Sequence, residues 1–369
     1  MTTETSSSVT HIDDQAPVDN STFVQWMHKH LFRSVWQSLL TIAVGYVVLM
    51  FGWRFVDWAV LRAVWVTSDP ALCGAAGAGA CWAVIVEKHR PMLFGLYPYA
   101  EHWRMVLFIA IYLGTIIVSL TPAFWNMRFL VPLWVIAFVS LCILIWGGVF
   151  GLRYVPTSEW GGLPLTIIMF SGTVLFGLPV AVFLALGRRS PLPVARGISV
   201  VFIESLRGVP LITILFVAVS IFPLFLPPGV EVNKLLRVTI GVAIFFACYQ
   251  AEVIRGGLQA VPRGQYEAAD SLNMTYWQTT RRIILPQAIR IALPAITNHI
   301  IAAMKNTSFV IIIGLFDILT ATTAVMADPL WSRFYIEAYL FVAFIYFIFG
   351  YALSLYARQV EKWTASGHN

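Results

Sequence analysis

The stretch GQYEAADSLNMTYWQTTRRIILPQ, residues 264–287, is polar, yet apolar runs long enough to cross a bilayer lie on both sides of it. It carries the carboxylates Glu267 and Asp270 and the adjacent cations Arg281 and Arg282. Pro262 suits the first turn of a helix, where its missing N–H costs nothing. Good helix formers follow, with Glu267 and Asp270 expected in the first turns, where the helix dipole favours anions. Tyr266, Ala269 and Leu272/Asn273 recur at helical spacing on one face. Asn273 stands where this helix should end, and Asn is the commonest substitute for Gly in the left-handed conformation that closes a helix. MTYWQTTRR then begins a second short helix, and Pro286 marks the start of the next span. The expectation is helix, tight corner, helix, lying along a membrane surface. The small residues Ala268 and Ala269 would let a partner approach the backbone closely. An amphipathic helix that meets only headgroups is the plainer alternative.

The composition agrees with a membrane setting. Of 369 residues, 59% are hydrophobic and 11% charged, where a soluble domain carries about 25%. Eight segments are long enough to span, near 35–53, 105–122, 130–150, 163–187, 199–226, 237–255, 291–316 and 337–357. The net charge of +6 is scattered between apolar runs. It therefore reads as positive charge in cytoplasmic loops, not as a nucleic-acid surface. Arg188, Arg189 and Arg196 fall in one short loop; the loop of the opening stretch holds Arg255, Arg263, Arg281, Arg282 and Arg290. With both loops cytoplasmic, alternation across eight spans places both termini inside. The link 54–103 would then be external, with Trp58, Trp65, Trp82 and Trp103 resting parts of it at the interface. The polar first 22 residues read as a disordered tail without a signal peptide.

Function is expected in the second half. After about residue 160 the spans carry Gly, Pro, Asn, Glu and Lys at costly positions. The chain has no Gly-Lys pair, hence no G-x-x-x-x-G-K-[ST] loop, and neither H-E-x-x-H nor G-x-S-x-G. No catalytic residue and no metal set is expected. Cys142 and Cys248 sit in apolar runs as packing residues. Cys73 and Cys81 flank GAAGAGA, a loop able to close a disulfide in an oxidising compartment.

Two Glu-x-x-Arg pairs, Glu204/Arg207 and Glu252/Arg255, sit at the expected cytoplasmic ends of spans. A spacing of three puts each acid and base on one helix face. They are interfacial salt bridges or, more sharply, struts at the inner mouth of a pathway. Lys305, Asn306, Thr307 and Ser308 form the densest polar cluster inside an expected span, a functional signal by default. They are candidates for binding a zwitterionic solute, for gating, or for interhelical glue. His299 reads as an interhelical partner. Asp317 and Asp328 read as exposed acids at the external end, able to meet a basic partner.

The opening stretch resembles the EAA loop of permease subunits in ABC importers, E-A-A-x3-G-x9-I-x-L-P. Here it runs Glu267-Ala268-Ala269, three residues, Asn273, nine residues, then Ile283, Leu285 and Pro286. Only the Gly position departs. FIESLRGVPLITILF (202–216), YQAEVIRGGLQAVPRGQ (249–265) and MKNTSFVIIIGLFDIL (304–319) resemble the polar amino-acid branch of that family. The extra N-terminal spans are similar to the M-type subunit of general L-amino-acid permeases. The resemblance implies an all-α polytopic fold with a five-helix type I (MetI-like) importer core at 161–369, preceded by a tail at 1–30 and further spans at 31–160. It assigns the loop 256–290 to coupling, with Glu267, Ala268, Ala269, Asp270 and Asn273 at an ATPase. The implied partners are a second permease subunit, an ATPase dimer that holds ATP and Mg, a periplasmic amino-acid-binding protein and an L-amino acid, in a bacterial inner membrane. No cofactor is implied on this chain. An ion-gradient-driven secondary transporter is the alternative. It would call for an inverted repeat or discontinuous helices with coupling-ion ligands.

Overall fold

The structure, a computed structural model, describes residues 22–366. The chain divides into two compact units, one of 22–63 with 75–80, the other of 64–74 with 81–366.

In the first unit, α1 (Phe23–Leu31) begins where the Gln25 side chain accepts the Thr22 backbone N–H at 3.1 Å. Its last turn holds His28, Lys29 and His30, which complement the helix dipole. Residues 23–30 are therefore helical and not part of a disordered tail; 1–21 lie outside the described residues. Ser34 caps α2 (Val35–Val56) by accepting the Gln37 N–H, and a π-turn extends the segment to Leu61. No residue of α2 is buried by the chain. An apolar helix of that length without a buried face suits lipid contact.

The second unit holds a short α3 (Pro70–Cys73), then α4 (Ala83–Phe94), α5 (His102–Leu120) and α6 (Met127–Trp146). α5 and α6 pack as a hairpin. The buried Arg104 closes it, donating to the carbonyls of Leu144 at 2.7 Å and Arg153 at 2.9 Å. It thereby satisfies a helix end that lipid cannot. The remaining elements are α7 (Gly162–Arg188), α8 (Pro193–Arg207), α9 (Leu211–Phe216), α10 (Lys234–Ala260), α11 (Arg263–Ser271), α12 (Tyr276–Thr279), α13 (Leu285–Asn306), α14 (Ile318–Val325) and α15 (Tyr335–Ser366). The described residues contain no β-strand, only isolated bridges.

α7, α10 and α13 form the spine. Gly177 and Gly257 set how closely they approach. A Cβ on Gly177 would stand 2.9 Å from the Ala243 carbonyl, and one on Gly257 would stand 2.3 Å from that of Ala288. One apolar cluster runs through Phe94, Phe108, Leu141, Leu165, Phe246 and Phe349. The change in composition near residue 160 is thus not matched by a break in packing.

Among the described residues, seven helical segments are long and apolar enough to span, and α8 with the segment Leu211–Phe225 makes an eighth, bent by 103°. The sequence leads one to expect a single run over 199–226. Gly208-Val209-Pro210 breaks it, because Pro210 has no N–H to continue the ladder and restricts Val209 before it. A π-turn at 217–221 loosens further carbonyls, and Arg237 donates to two of them, Ala218 at 3.1 Å and Val219 at 2.9 Å. The seventh segment also starts earlier than expected. α12, a π-turn at 280–284 and α13 run on continuously from Tyr276. The bulge absorbs the missing N–H of Pro286 instead of stopping the helix.

Candidate coupling surface and ion cluster

α11 ends as the residues require. Asn273 has φ 53°, the left-handed region. Met274 N–H donates to Ala269 O at 3.1 Å and Asn273 N–H to Asp270 O at 2.9 Å, the two bonds of a Schellman closure. Thr275 and Gln278 then cap α12 reciprocally, each side chain accepting the other's backbone N–H. Pro262 is the N-cap, so the first turn is Arg263–Tyr266 and carries no acid. Glu267 lies in the second turn and Asp270 near the end, which removes the expected dipole role of both.

The helix is fixed from beneath. Arg189 Nη1 donates to Leu258 O at the end of α10, and also to Tyr266 Oη at 3.4 Å. Ala269 has no exposed surface. It faces its own chain, and its assignment as a docking residue is corrected. Its small size serves the seating of α11, since any larger side chain would lift the helix. Glu267, Ala268, Asp270 and Asn273 are exposed. So are Leu272 at 74%, Tyr276 and Trp277. Leu272 leaves the Tyr266–Ala269 face because the helix has already ended at Ser271. The outcome is a polar helix backed by apolar contacts and bordered by three large apolar side chains, the composition of a protein-docking surface.

The two Glu-x-x-Arg pairs belong to one cluster. Arg255 Nε donates to Glu252 Oε2 at 2.9 Å, and Arg207 stands 4.0 Å from both Glu204 and Glu252. The residue that joins them is Arg188, 2.7 Å from Glu204 and 3.1 Å from Glu252. Sequence spacing reveals only the i, i+3 partners on one helix; Arg188 gave no signal beyond its place in a basic loop. The ends of α7, α8 and α10 are thus held by ions, and removing one partner would leave half-buried charge uncompensated. Arg207 also lies over the Tyr249 ring at 5.4 Å, and Tyr249 contacts the His299 ring at 6.4 Å. These contacts carry the cluster to α13, with His299 as the interhelical partner that the sequence suggests.

Six residues beyond His299, Lys305 is exposed and Asn306 ends α13. Thr307 is buried, with Oγ1 donating to Met304 O at 2.7 Å; Ser308 Oγ donates to Lys305 O at 2.7 Å. Both hydroxyls keep acceptor capacity. Among the described residues, these hydrogen bonds of Thr307 and Ser308 are local and do not reach the ion cluster or α11.

The acids at the opposite end differ from expectation. Asp317 is fully buried. It caps α14, accepting Thr320 N–H at 2.9 Å and the Tyr346 hydroxyl at 3.4 Å. Burial raises its carboxyl above the usual range. Asp328 pairs with Lys88 at 3.0 Å, and that hydrogen bond lowers its carboxyl. Neither is a free acid for a partner. Cys73 and Cys81 are joined as a disulfide. The Cys81 N–H donates to the buried Glu337 at 2.8 Å, which holds Cys81 against α15.

The residues 177–366 match the family model for a "Binding-protein-dependent transport system inner membrane component". The chain is 44% identical to the inner membrane amino-acid ABC transporter permease protein YhdY of Escherichia coli K12 over 96% of both chains. It is 34% identical to the glutamate/glutamine/aspartate/asparagine transport system permease protein BztC of Rhodobacter capsulatus, over 94% of this chain and 95% of that one. The crystal structure of an amino acid ABC transporter with histidines is 31% identical, covering 55% of this chain and 91% of that chain at a TM-score of 0.48. The family model and these two full-length relatives show that the chain belongs to the family of binding-protein-dependent transport system inner membrane components, as an ABC transporter permease subunit.

Proposed function

We propose that the chain carries polar or general L-amino acids inward across a bacterial inner membrane, with both termini and α11 on the cytoplasmic side. ATP and Mg are held by a separate ATPase dimer, which docks on the exposed face of α11. A second permease subunit completes the pathway, and a periplasmic binding protein delivers the solute. The observation that carries this reading is the exposed, rigidly closed α11, a shaped polar surface in a chain otherwise built for lipid. The relatives' amino-acid substrates support the solute class.

In physical terms, ATP binding closes the ATPase dimer, moves α11, and shifts an equilibrium between inward- and outward-facing states through differential affinity. The ion cluster of Arg188, Glu204, Arg207, Glu252 and Arg255 serves as the strut that moves three helix ends together. Lys305, Asn306, Thr307 and Ser308 line the pathway, with the exposed ammonium facing the solute or the second subunit. The test is uptake by the purified assembly in proteoliposomes. ATP-dependent amino-acid uptake that vanadate abolishes and an ionophore leaves intact is expected. Uptake that collapses with the ionophore and persists without ATP would return the chain to the secondary-transporter alternative.

A further inference from the structure

Asp317 is fully buried, and among the described residues it makes no ion pair. The charged side chains on the elements around it are engaged elsewhere. Lys234 at the start of α10 donates to the Ile313 carbonyl, Lys88 on α4 pairs with Asp328, and Glu337 on α15 accepts the Cys81 N–H. The side chains that meet the carboxyl are neutral, Thr320 of α14 and Tyr346 of α15. The Tyr346 hydroxyl in turn meets Thr166 of α7 and Thr307, the residue after α13. The N-terminus of α14 favours an anion, but by less than the desolvation of a buried carboxylate costs. Burial accordingly holds this carboxyl above the usual range.

The hydrogens around Tyr346 point the same way. Asp317 Oδ1 accepts the Thr320 N–H at 2.9 Å and the Thr320 hydroxyl at 2.5 Å, so it is satisfied as a carbonyl oxygen. Oδ2 meets the Tyr346 hydroxyl at 3.4 Å. Thr166 Oγ1 gives its proton to the Gly162 carbonyl at 3.1 Å and accepts the Ile318 N–H at 3.2 Å. Thr307 Oγ1 gives its proton to the Met304 carbonyl. Both threonines can therefore only accept from Tyr346, and Thr307 is the one with lone pairs to spare. With Asp317 ionised, the single Tyr346 proton goes to Oδ2, and no hydrogen lies between Tyr346 and Thr307. With Oδ2 protonated, Asp317 donates to the Tyr346 oxygen, and the Tyr346 proton turns to Thr307. Only the second arrangement puts a hydrogen in both contacts and leaves no charge buried.

We propose that Asp317 is a neutral carboxylic acid that donates to Tyr346 and so directs the Tyr346 hydroxyl onto Thr307, which makes Asp317 and Tyr346 positioning residues for the pathway wall at Lys305–Ser308. The proton on Asp317 thereby ties α14 and α15 to the end of α13. The positioning role rests on the pathway reading of Lys305–Ser308; the proton on Asp317 does not.

Two measurements on the full-length chain, purified with its co-isolating subunits, test the two parts separately. The infrared spectrum at neutral pH should contain the carbonyl stretch of a protonated carboxylic acid, and Asp317→Asn should lose it. A spectrum unchanged in Asp317→Asn means that Asp317 is ionised and overturns the proposal, whatever the chain transports. In proteoliposomes, Tyr346→Phe should raise the KM for L-glutamate uptake about fivefold, the effect of one neutral hydrogen bond, with little change in kcat. Asp317→Ala should do the same, and Asp317→Asn, whose amide offers an N–H where the acid offers an O–H, should restore the parent KM. Where Asp317→Ala fails to assemble, Tyr346→Phe carries the comparison alone. At alkaline pH, where Asp317 loses its proton, the parent KM should rise toward that of Tyr346→Phe, and Asp317→Asn should stay flat. An infrared band lost in Asp317→Asn together with an unchanged KM in Tyr346→Phe would overturn the positioning role.

Discussion

At the scale of single residues, Asn273 is the informative departure from the family pattern. Its φ of 53° shows why Gly or Asn is needed there. A Gly has no Cβ to clash, Asn tolerates the region, and a β-branched residue pays about 1–2 kcal/mol. Asn273→Gly should therefore leave uptake and ATPase affinity unchanged. Asn273→Val should weaken the affinity of the ATPase for the purified permease by about 1–2 kcal/mol, read by titration, with the spans still folded. Matched behaviour of the two variants would mean that the corner does not govern docking. This residue was legible because the constraint is local: a helix, then a residue type, then a capping box. Ala268 and Ala269 were not separable in the same way. Only the packing of α11 on α10 decides which alanine turns inward, and that contact depends on Arg189, far away in sequence. Asp317 and Asp328 misled for a related reason. The partner of Asp328 is Lys88, 240 residues distant, and the burial of Asp317 follows from Tyr346 and α7 packing over it.

At the scale of elements, apolar length located the spans but did not show which of them are straight. Pro210 breaks one expected span outright, whereas the π-turns at 217–221 and 280–284 let their segments continue, the first with Arg237 on two carbonyls and the second ahead of Pro286. The spine depends on contact between backbones. Gly257 meets the Ala288 carbonyl, whereas the neighbouring Gly256 has open space around its Cα. Gly257→Val should thus push α10 from α13 and destabilise the chain by about 1–3 kcal/mol, the usual cost of overpacking. Gly256→Ala should unfold near the parent temperature. Thermal unfolding in detergent compares them; an equal loss in both would place the intolerance in helix propensity and not in the α10–α13 approach.

At the scale of the whole molecule, the polar surface and the ion cluster are one arrangement. α11 rests on the end of α10 through Tyr266 and Arg189, and the adjacent Arg188 ties α7 to α8 and α10. A displacement of α11 would therefore reach three helix ends at once, as the proposed coupling requires. The sequence predicted the helix, corner and helix of this segment; the bridging arginine and the fixed orientation of the helix are tertiary, and no spacing within one segment encodes them. The central claim is that the outward face of α11 is where an ATPase docks. The most direct measurement is disulfide cross-linking of the assembled transporter, with single cysteines placed at Glu267, Ala268, Ala269 and Asn273 opposite cysteines in the ATPase cleft. Cross-links at 267, 268 and 273 that strengthen on ATP binding, with position 269 silent, are the predicted result. Cross-linking at 269 equal to that at 268, or none at any of the four in a transporter that still takes up amino acids, would contradict it.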